Sequence, residues 1–170
     1  MSTQARPKAK PAAPAIATVP IGTITASPNN LRKRFDDDAL ARLAETIKAH
    51  GILQPLVVRP KAAGRFELVA GERRFRAAKL ARLSTVPVSI RALDDAAALE
   101  IMVIENDSRE DISPLERAEG YKRLIDMGRK IEHLAAKVGS GSGLIKQQLF
   151  NFRSSLRSDK RKEKKTKSKG

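Results

Sequence analysis

Gly71, Glu72, Arg73 and Arg74 stand where a strand-like run, RFELVA, meets a helical one, FRAAK. The start of a helix leaves N–H groups without intrahelical partners, and the helix dipole favours an anion there. Arg73 and Arg74 in that first turn oppose the dipole. A bound phosphate would reverse the cost by accepting guanidinium and backbone hydrogen bonds together. The competing reading pairs the arginines with acids such as Glu72 or Glu105, and the motif alone leaves both open. Glu105, Asn106 and Asp107 form a second constellation, at the C-terminal end of an apolar helical run where carboxylates again oppose the dipole. Hard oxygen donors of this type suit Mg²⁺, which takes one or two protein ligands and completes its octahedron with phosphates and water. The alternative is a solvated helix end closed by an asparagine.

The elements that must position these residues follow from the pattern of the chain. VPIGTI reads as a short strand, and DDDALARLAETIKAHG as a helix with acids in its first turn, Leu40, Leu43, Ala44 and Ile47 on one face, and Gly51 as C-cap. PLVVRP and RFELVA are strands separated by KAAG. A helix from Glu72 to about Ala81 and the strand TVPVSIRAL come next, followed by a helix capped by Asp94 that directs Ala98, Ile101, Met102 and Ile104 to the core. From Ser113 the character becomes helical. Ser113 and Glu116 form a capping box, and RKIEHLAAKVG, SGSG and LIKQQLFNFRSSL follow as helix, tight turn and helix. That is the punctuation of a helix-turn-helix, in which Ser140, Ser142, Lys146, Gln147 and Gln148 are the candidates for DNA contact, the last three on an exposed face. A plain helical hairpin has a similar pattern.

The expected organisation is a disordered arm over 1–20, an α/β domain over 21–110, an all-α domain over 111–156 and a disordered basic tail over 157–170. The net charge of +15 is concentrated at the ends, with +3 in residues 1–20 and +7 in residues 153–170. Such ends attract phosphate backbones by counterion release, and the bland alternative is a solubilising tail. The absence of cysteine excludes a disulfide framework, a thiolate metal site and a cysteine nucleophile. No apolar run reaches the length of a membrane span, and no signal peptide is evident, so a cytoplasmic protein is expected. With aromatic residues at 4% there is little material for stacking single-stranded bases.

GILQPLVVRP, LVAGERRFRAAK and IENDSREDISPLERAEGYKRLID, in this order and spacing, resemble the ParB family of chromosome and plasmid partition proteins. The resemblance covers about residues 20 to 150. It implies a ParB/sulfiredoxin-like domain that binds CTP with Mg²⁺, then a helix-turn-helix domain that binds a centromere-like double-stranded DNA site. On the family motifs, Gln54, Pro55, Leu56 and Arg59 match the segment around cytosine and ribose. Gly71, Glu72, Arg73 and Arg74 match the triphosphate cradle. Glu105 and Asn106 match the Mg²⁺ and triphosphate segment, with Glu105 supporting hydrolysis, and Arg109 matches the arginine that follows. Ser108 stands where the family usually has glutamine, which bears on the implied weak CTPase activity more than on binding. The family further implies nucleotide-dependent self-association into a clamp, a ParA-type ATPase partner engaged through the N-terminal arm, and a bacterial nucleoid or plasmid location. Two readings stay open beside it: a plasmid or phage repressor on the same fold without turnover, and a ParB-fold nucleotide-dependent kinase.

Overall fold

A computed structural model describes residues 15–28, 30, 35–107 and 112–167, with side chains through 155. The described residues form two compact units, one of 15–28 and 35–94, the other of 30, 95–107 and 112–167.

The first unit is a mixed five-stranded sheet carrying two helices. Its elements are β1 (Ala15–Pro20), a 3-10 turn at Ile21–Thr23, β2 (Ile24–Ala26), α1 (Asp37–His50), β3 (Leu56–Pro60), β4 (Phe66–Ala70), α2 (Glu72–Leu80) and β5 (Thr85–Ile90). The strand order is β1-β5-β3-β4-β2. β3 pairs antiparallel with β4 and parallel with β5, whereas β2 runs parallel to β4 and β1 antiparallel to β5. Alternation in β5 buries Val86 and Val88. Pro87, which has no N–H to give a ladder, falls just outside the β3 register that begins at Leu56 and Val88. Leu40, Ala44 and Ile47 of α1 and Phe75, Ala77 and Ala78 of α2 complete the core over Leu56, Val58 and Leu68. The Asp36 carboxylate caps α1, accepting from the Ala39 N–H at 3.0 Å, and that bond holds its pKa below the ordinary value.

The sheet corrects one boundary of the sequence reading. Residues 15–20, expected in a disordered arm, form the edge strand β1, and the strand expected over VPIGTI is divided between β1, the 3-10 turn and β2. Pairing with β5 supplies the backbone partners that a Pro- and Ala-rich composition gives no sign of. Residues 1–14 lie outside the described residues.

The second unit contains α3 (Asp95–Asp107), α4 (Pro114–Asp126), α5 (Ile131–Val138) and α6 (Ser142–Lys167). α4 begins with the expected capping box, Ser113 with Glu116, and with proline in the first turn. Leu99 and Val103 of α3 share a core with Tyr121 and Leu124 of α4, Leu134 of α5, and Ile145 and Leu149 of α6. The compact units therefore divide after Asp94 and not after residue 110. The buried face of α3 is also rotated from expectation, because Ala98, Leu99, Met102 and Val103 are buried while Ile101 and Ile104 are half-buried. A further correction concerns the tail. The α6 backbone continues to Lys167, so 157–167 is helical and not disordered. From Leu144 to Lys167 there is no glycine or proline, and Lys, Arg and Glu are good helix formers.

Tyr121, 1% exposed, joins α4 to α3 by donating its hydroxyl to Asp107 Oδ1. Burial, reinforced by that carboxylate, raises the tyrosine pKa well above its ordinary value. Tyr121→Phe keeps the packed ring and removes one hydrogen bond to a charged group. Urea titration should show a loss of about 1.5 to 3 kcal/mol with an unchanged slope.

Candidate functional site

The β4–α2 junction is built around Gly71, at φ 100°, ψ 28°. A Cβ at this position would lie 2.9 Å from Leu56 Cδ2 and 3.3 Å from Arg74 Nη2. Leu56 is fully buried, so both the backbone conformation and the available space require glycine. Arg74 reaches back across this glycine, and its Nη1 donates to the carbonyls of Gln54 and of Pro55, the second at 3.1 Å. Gln54, Pro55, Leu56, Gly71 and Arg74, which the sequence places in two separate motifs, are thus brought together. The α2 N-terminus has no side-chain cap. Glu72 does not pair with Arg73 or Arg74. Its Oε1 accepts from Arg76 Nε at 2.7 Å, one turn along the helix, and its Oε2 is buried without a hydrogen-bond partner. Arg73 contributes a favourable charge toward Asp36. Chemically, the junction offers uncapped helix N–H groups, a tight glycine turn and guanidinium groups in one place, a combination suited to an anion.

Arg59 has a different environment. It is 6% exposed, and its Nε and Nη2 donate to Glu67 Oε2 at 3.0 and 2.7 Å, while Nη1 reaches the Leu93 carbonyl at 3.4 Å. Glu67 also accepts from Ser27 Oγ at 2.6 Å and from Lys61 Nζ at 2.8 Å, joining β2, β3 and β4 behind the junction. Burial alone would raise the Glu67 pKa, but the bonds from Lys61, Ser27 and Arg59 outweigh it and hold the carboxyl at about 2. Sequence reasoning passed over Glu67. Its signal was a single acid at the centre of an otherwise apolar strand, opposite Arg59 in the β3–β4 register.

In the second unit Glu105 is exposed and Asn106 is 6% exposed, so neighbouring residues face different surroundings. Asn106 Nδ2 donates to the Met102 carbonyl at 2.7 Å, which leaves its amide oxygen as the atom able to bind a cation. Asp107 is held by Tyr121 and lies 3.3 Å from Arg117 Nε, so it belongs to the α3–α4 packing. Among the described residues no group of three His, Cys, Asp or Glu could hold a metal ion. One carboxylate and one amide oxygen fit Mg²⁺ only in its usual manner, with phosphate and water completing the shell. Ser108 and Arg109 lie outside the described residues.

α5 ends at Gly139 in the left-handed conformation, and the Ser140 N–H returns to the Ala135 carbonyl at 3.1 Å. Ser142 opens α6, half-buried. Lys146 and Gln147 lie on its exposed face, with Gln147 Nε2 donating to Asn151 Oδ1 at 3.1 Å. Gln148 corrects the expectation of an exposed contact residue: it is half-buried, and its Oε1 is buried without a hydrogen-bond partner. Ile145, Leu149 and Phe152 take the buried side of the helix, which turns Gln148 toward it. Phe150, 67% exposed, shares the outer face with Lys146 and Arg153 and was not among the sequence candidates.

Comparison with known proteins matches residues 6–107 to the family model described as the ParB N-terminal domain. Among curated relatives, the chromosome-partitioning protein Spo0J of Thermus thermophilus is 44% identical over 134 residues, 79% of this chain and 49% of the relative. The chain spans about half the length of the curated relatives it matches. Two solved structures of the C-terminally truncated ParB of Caulobacter crescentus are similar. The one complexed to the centromeric parS site has a TM-score of 0.63 at 38% identity, covering 78% of this chain and 69% of that one. The one complexed with CTP-gamma-S has a TM-score of 0.53 at 39% identity, covering 79% and 76%.

Two outcomes are expected from this geometry. Gly71→Ala should lower stability by about 1 to 3 kcal/mol through backbone strain and the Leu56 clash, read by thermal unfolding. Because the folded pKa of Glu67 is depressed, its contribution is complete above about pH 4.5 and is lost as pH falls toward about 2. Urea unfolding of wild type across this range should lose on the order of 2 to 3 kcal/mol from this group, and Glu67→Gln should flatten that part of the profile.

Proposed function

The chain belongs to the ParB N-terminal domain family, and from that membership we propose that it is a partition protein in which CTP binding controls association with DNA. The observation that carries the reading is the junction at Gly71. An uncapped helix start, a glycine with no room for a side chain and an arginine tied to the Gln54 and Pro55 carbonyls stand in a chain 39% identical to a ParB solved with CTP-gamma-S. In this reading the α2 N–H groups and Arg73 bind the triphosphate, Arg74 holds the Gln54–Pro55–Leu56 segment in place for the base and ribose, and Glu72 sets the first turn. Arg59 acts from behind the site, by fixing β3 to β4. Glu105 and the Asn106 amide oxygen would hold Mg²⁺, which supplies charge neutralisation for the phosphates. Glu105 also supports a weak hydrolysis of CTP, and Arg109 adds a further cation toward the nucleotide.

The α5–turn–α6 segment is the proposed helix-turn-helix, with Ser140, Ser142, Lys146 and Gln147 toward duplex DNA. This is favoured by similarity to a ParB solved on its parS site. Loading on a centromere-like site with nucleotide closes two protomers into a clamp, and the arm at 1–14 is the proposed contact for a ParA-type ATPase. The location implied is bacterial nucleoid or plasmid DNA. No helix among the described residues is long and apolar enough to cross a membrane.

Calorimetry with Mg²⁺ should show binding of CTP in preference to ATP and GTP. Arg73→Ala should weaken CTP by roughly tenfold or more with little change in melting temperature, since a charge-assisted bond in a phosphate site is worth on the order of 1.5 to 3 kcal/mol. Arg74→Ala should lose both affinity and melting temperature, because its guanidinium is part of the fold. Equal binding of the three nucleotides, or wild-type affinity in Arg73→Ala, would remove the assignment.

A further inference from the structure

α6 does more than present a short reading segment. It is one helix from Ser142 to Lys167, and successive residues turn about 100° around its axis. Ile145, Leu149 and Phe152 define its buried side, while Lys146, Phe150 and Arg153 are exposed. Continuing the same register, Arg157, Lys160, Arg161 and Lys164 recur with Lys146 and Arg153 inside an arc of about 100°. The two acids of this region, Asp159 and Glu163, fall in register with Ile145 and Phe152, on the opposite side. Lys165 and Lys167 flank the basic arc on its two sides, and Lys162 lies well away from it. A solubilising tail needs net charge but no sorting of charge by face.

We propose that α6 carries a single basic stripe, from Lys146 to Lys164, that tracks the phosphate backbone of duplex DNA without reading sequence. The inference deepens the nucleic-acid half of the reading above and rests on it. The stripe is about 27 Å long, a length that follows about eight base pairs of one strand. Duplex is favoured over other polyanions by what the stretch lacks. Arg153–Lys167 has one large apolar residue, Leu156, too little to seat a helix in a lipid surface. The one exposed aromatic along the stripe is Phe150 near its start, and from Arg153 on there is no ring on which successive single-stranded bases would stack.

The test shifts helical phase without changing charge. Two alanines inserted after Ser155 rotate the distal basic positions by about 200°, whereas seven rotate them by about 700° and return them to within about 20° of their original direction. Binding to a fluorescent random-sequence duplex is followed by anisotropy over a salt series, with circular dichroism confirming the helix. The two-alanine protein should bind about tenfold more weakly at low salt, with a logarithmic salt slope shallower by about 3, and the seven-alanine protein should stay within about threefold of wild type. Wild-type binding by both insertions would overturn the stripe and leave a flexible anchor. Equal competition by single-stranded poly(U) or by phosphatidylserine vesicles would overturn the choice of duplex. Should an insertion melt the helix, the transposition D159K/K160D/E163K/K164E moves two cations off the stripe at constant composition. A loss of about tenfold supports the proposal, and no loss overturns it. CTP calorimetry on the same proteins separates the two claims, because absent CTP binding in every variant sinks the nucleotide reading without altering the phase result.

Discussion

The first unit depends on one close approach, that of the Gly71 backbone to the buried side chain of Leu56. Any larger residue at 71 would meet a leucine with nowhere to go, since Leu56 lies on β3, between β5 and β4 in the sheet, and is fully buried in the core. The contact fixes the height of the α2 N-terminus above β3, and Arg74 then secures the same relation from outside by bonding the two carbonyls just before β3. A helix whose first turn carries two arginines is working against its dipole. In Arg74 that cost is offset by backbone acceptors supplied by another segment. The segment most in need of rigidity, a loop leading into a central strand, is therefore held by a residue that a purely local view would consider unfavourable.

Behind this junction the polar network around Glu67 sets the register of three strands. Removing two opposite charges from water costs more than an average ion pair returns, so the pair with Arg59 is not a simple source of stability. Its value lies in geometry. Ser27, Arg59 and Lys61 all converge on one carboxylate, and only one alignment of β2, β3 and β4 satisfies them together. α3 and α4 use Asp107 in a similar way, with Tyr121 and Arg117 approaching the same oxygen. Of three consecutive polar residues at the end of α3, Asp107 is consumed by packing and Asn106 is turned to the backbone, which leaves Glu105 the most exposed of the group.

How much of this was legible depended on the range of the interaction. α1 was readable because its cap, apolar spacing and terminal glycine are all local, and the capping box of α4 likewise. Gly71 was readable as a special position, yet its reason, the side chain of Leu56, is a contact across fifteen residues of sequence that no periodicity reports. β1 was missed because its hydrogen bonds come from a strand 65 or more residues away, against a composition that argues for disorder. Gln148 was misplaced for a related reason: the turn of a helix gives a face, but how far a neighbour covers the edge of that face depends on the neighbour. Membership of a family supplied the order of the motifs and could not supply these partners.

The distribution of charge follows from the same distinction between local and long-range partners. In the first unit, Arg59, Lys61, Arg74 and Arg76 each bond an acid or a carbonyl of the protein, so much of its positive charge serves the fold. The last helix has few acids to meet its cations, and those few fall outside the arc that holds most of them. Whether such a segment is helix or coil alters the thermodynamics of meeting a polyanion. A coil must give up backbone freedom at about 1 to 2 kcal/mol for every residue it orders, which consumes much of the electrostatic gain. A helix already continuous with the packed residues Ile145, Leu149 and Phe152 has met that cost in folding, and its charges arrive with a direction as well as a number.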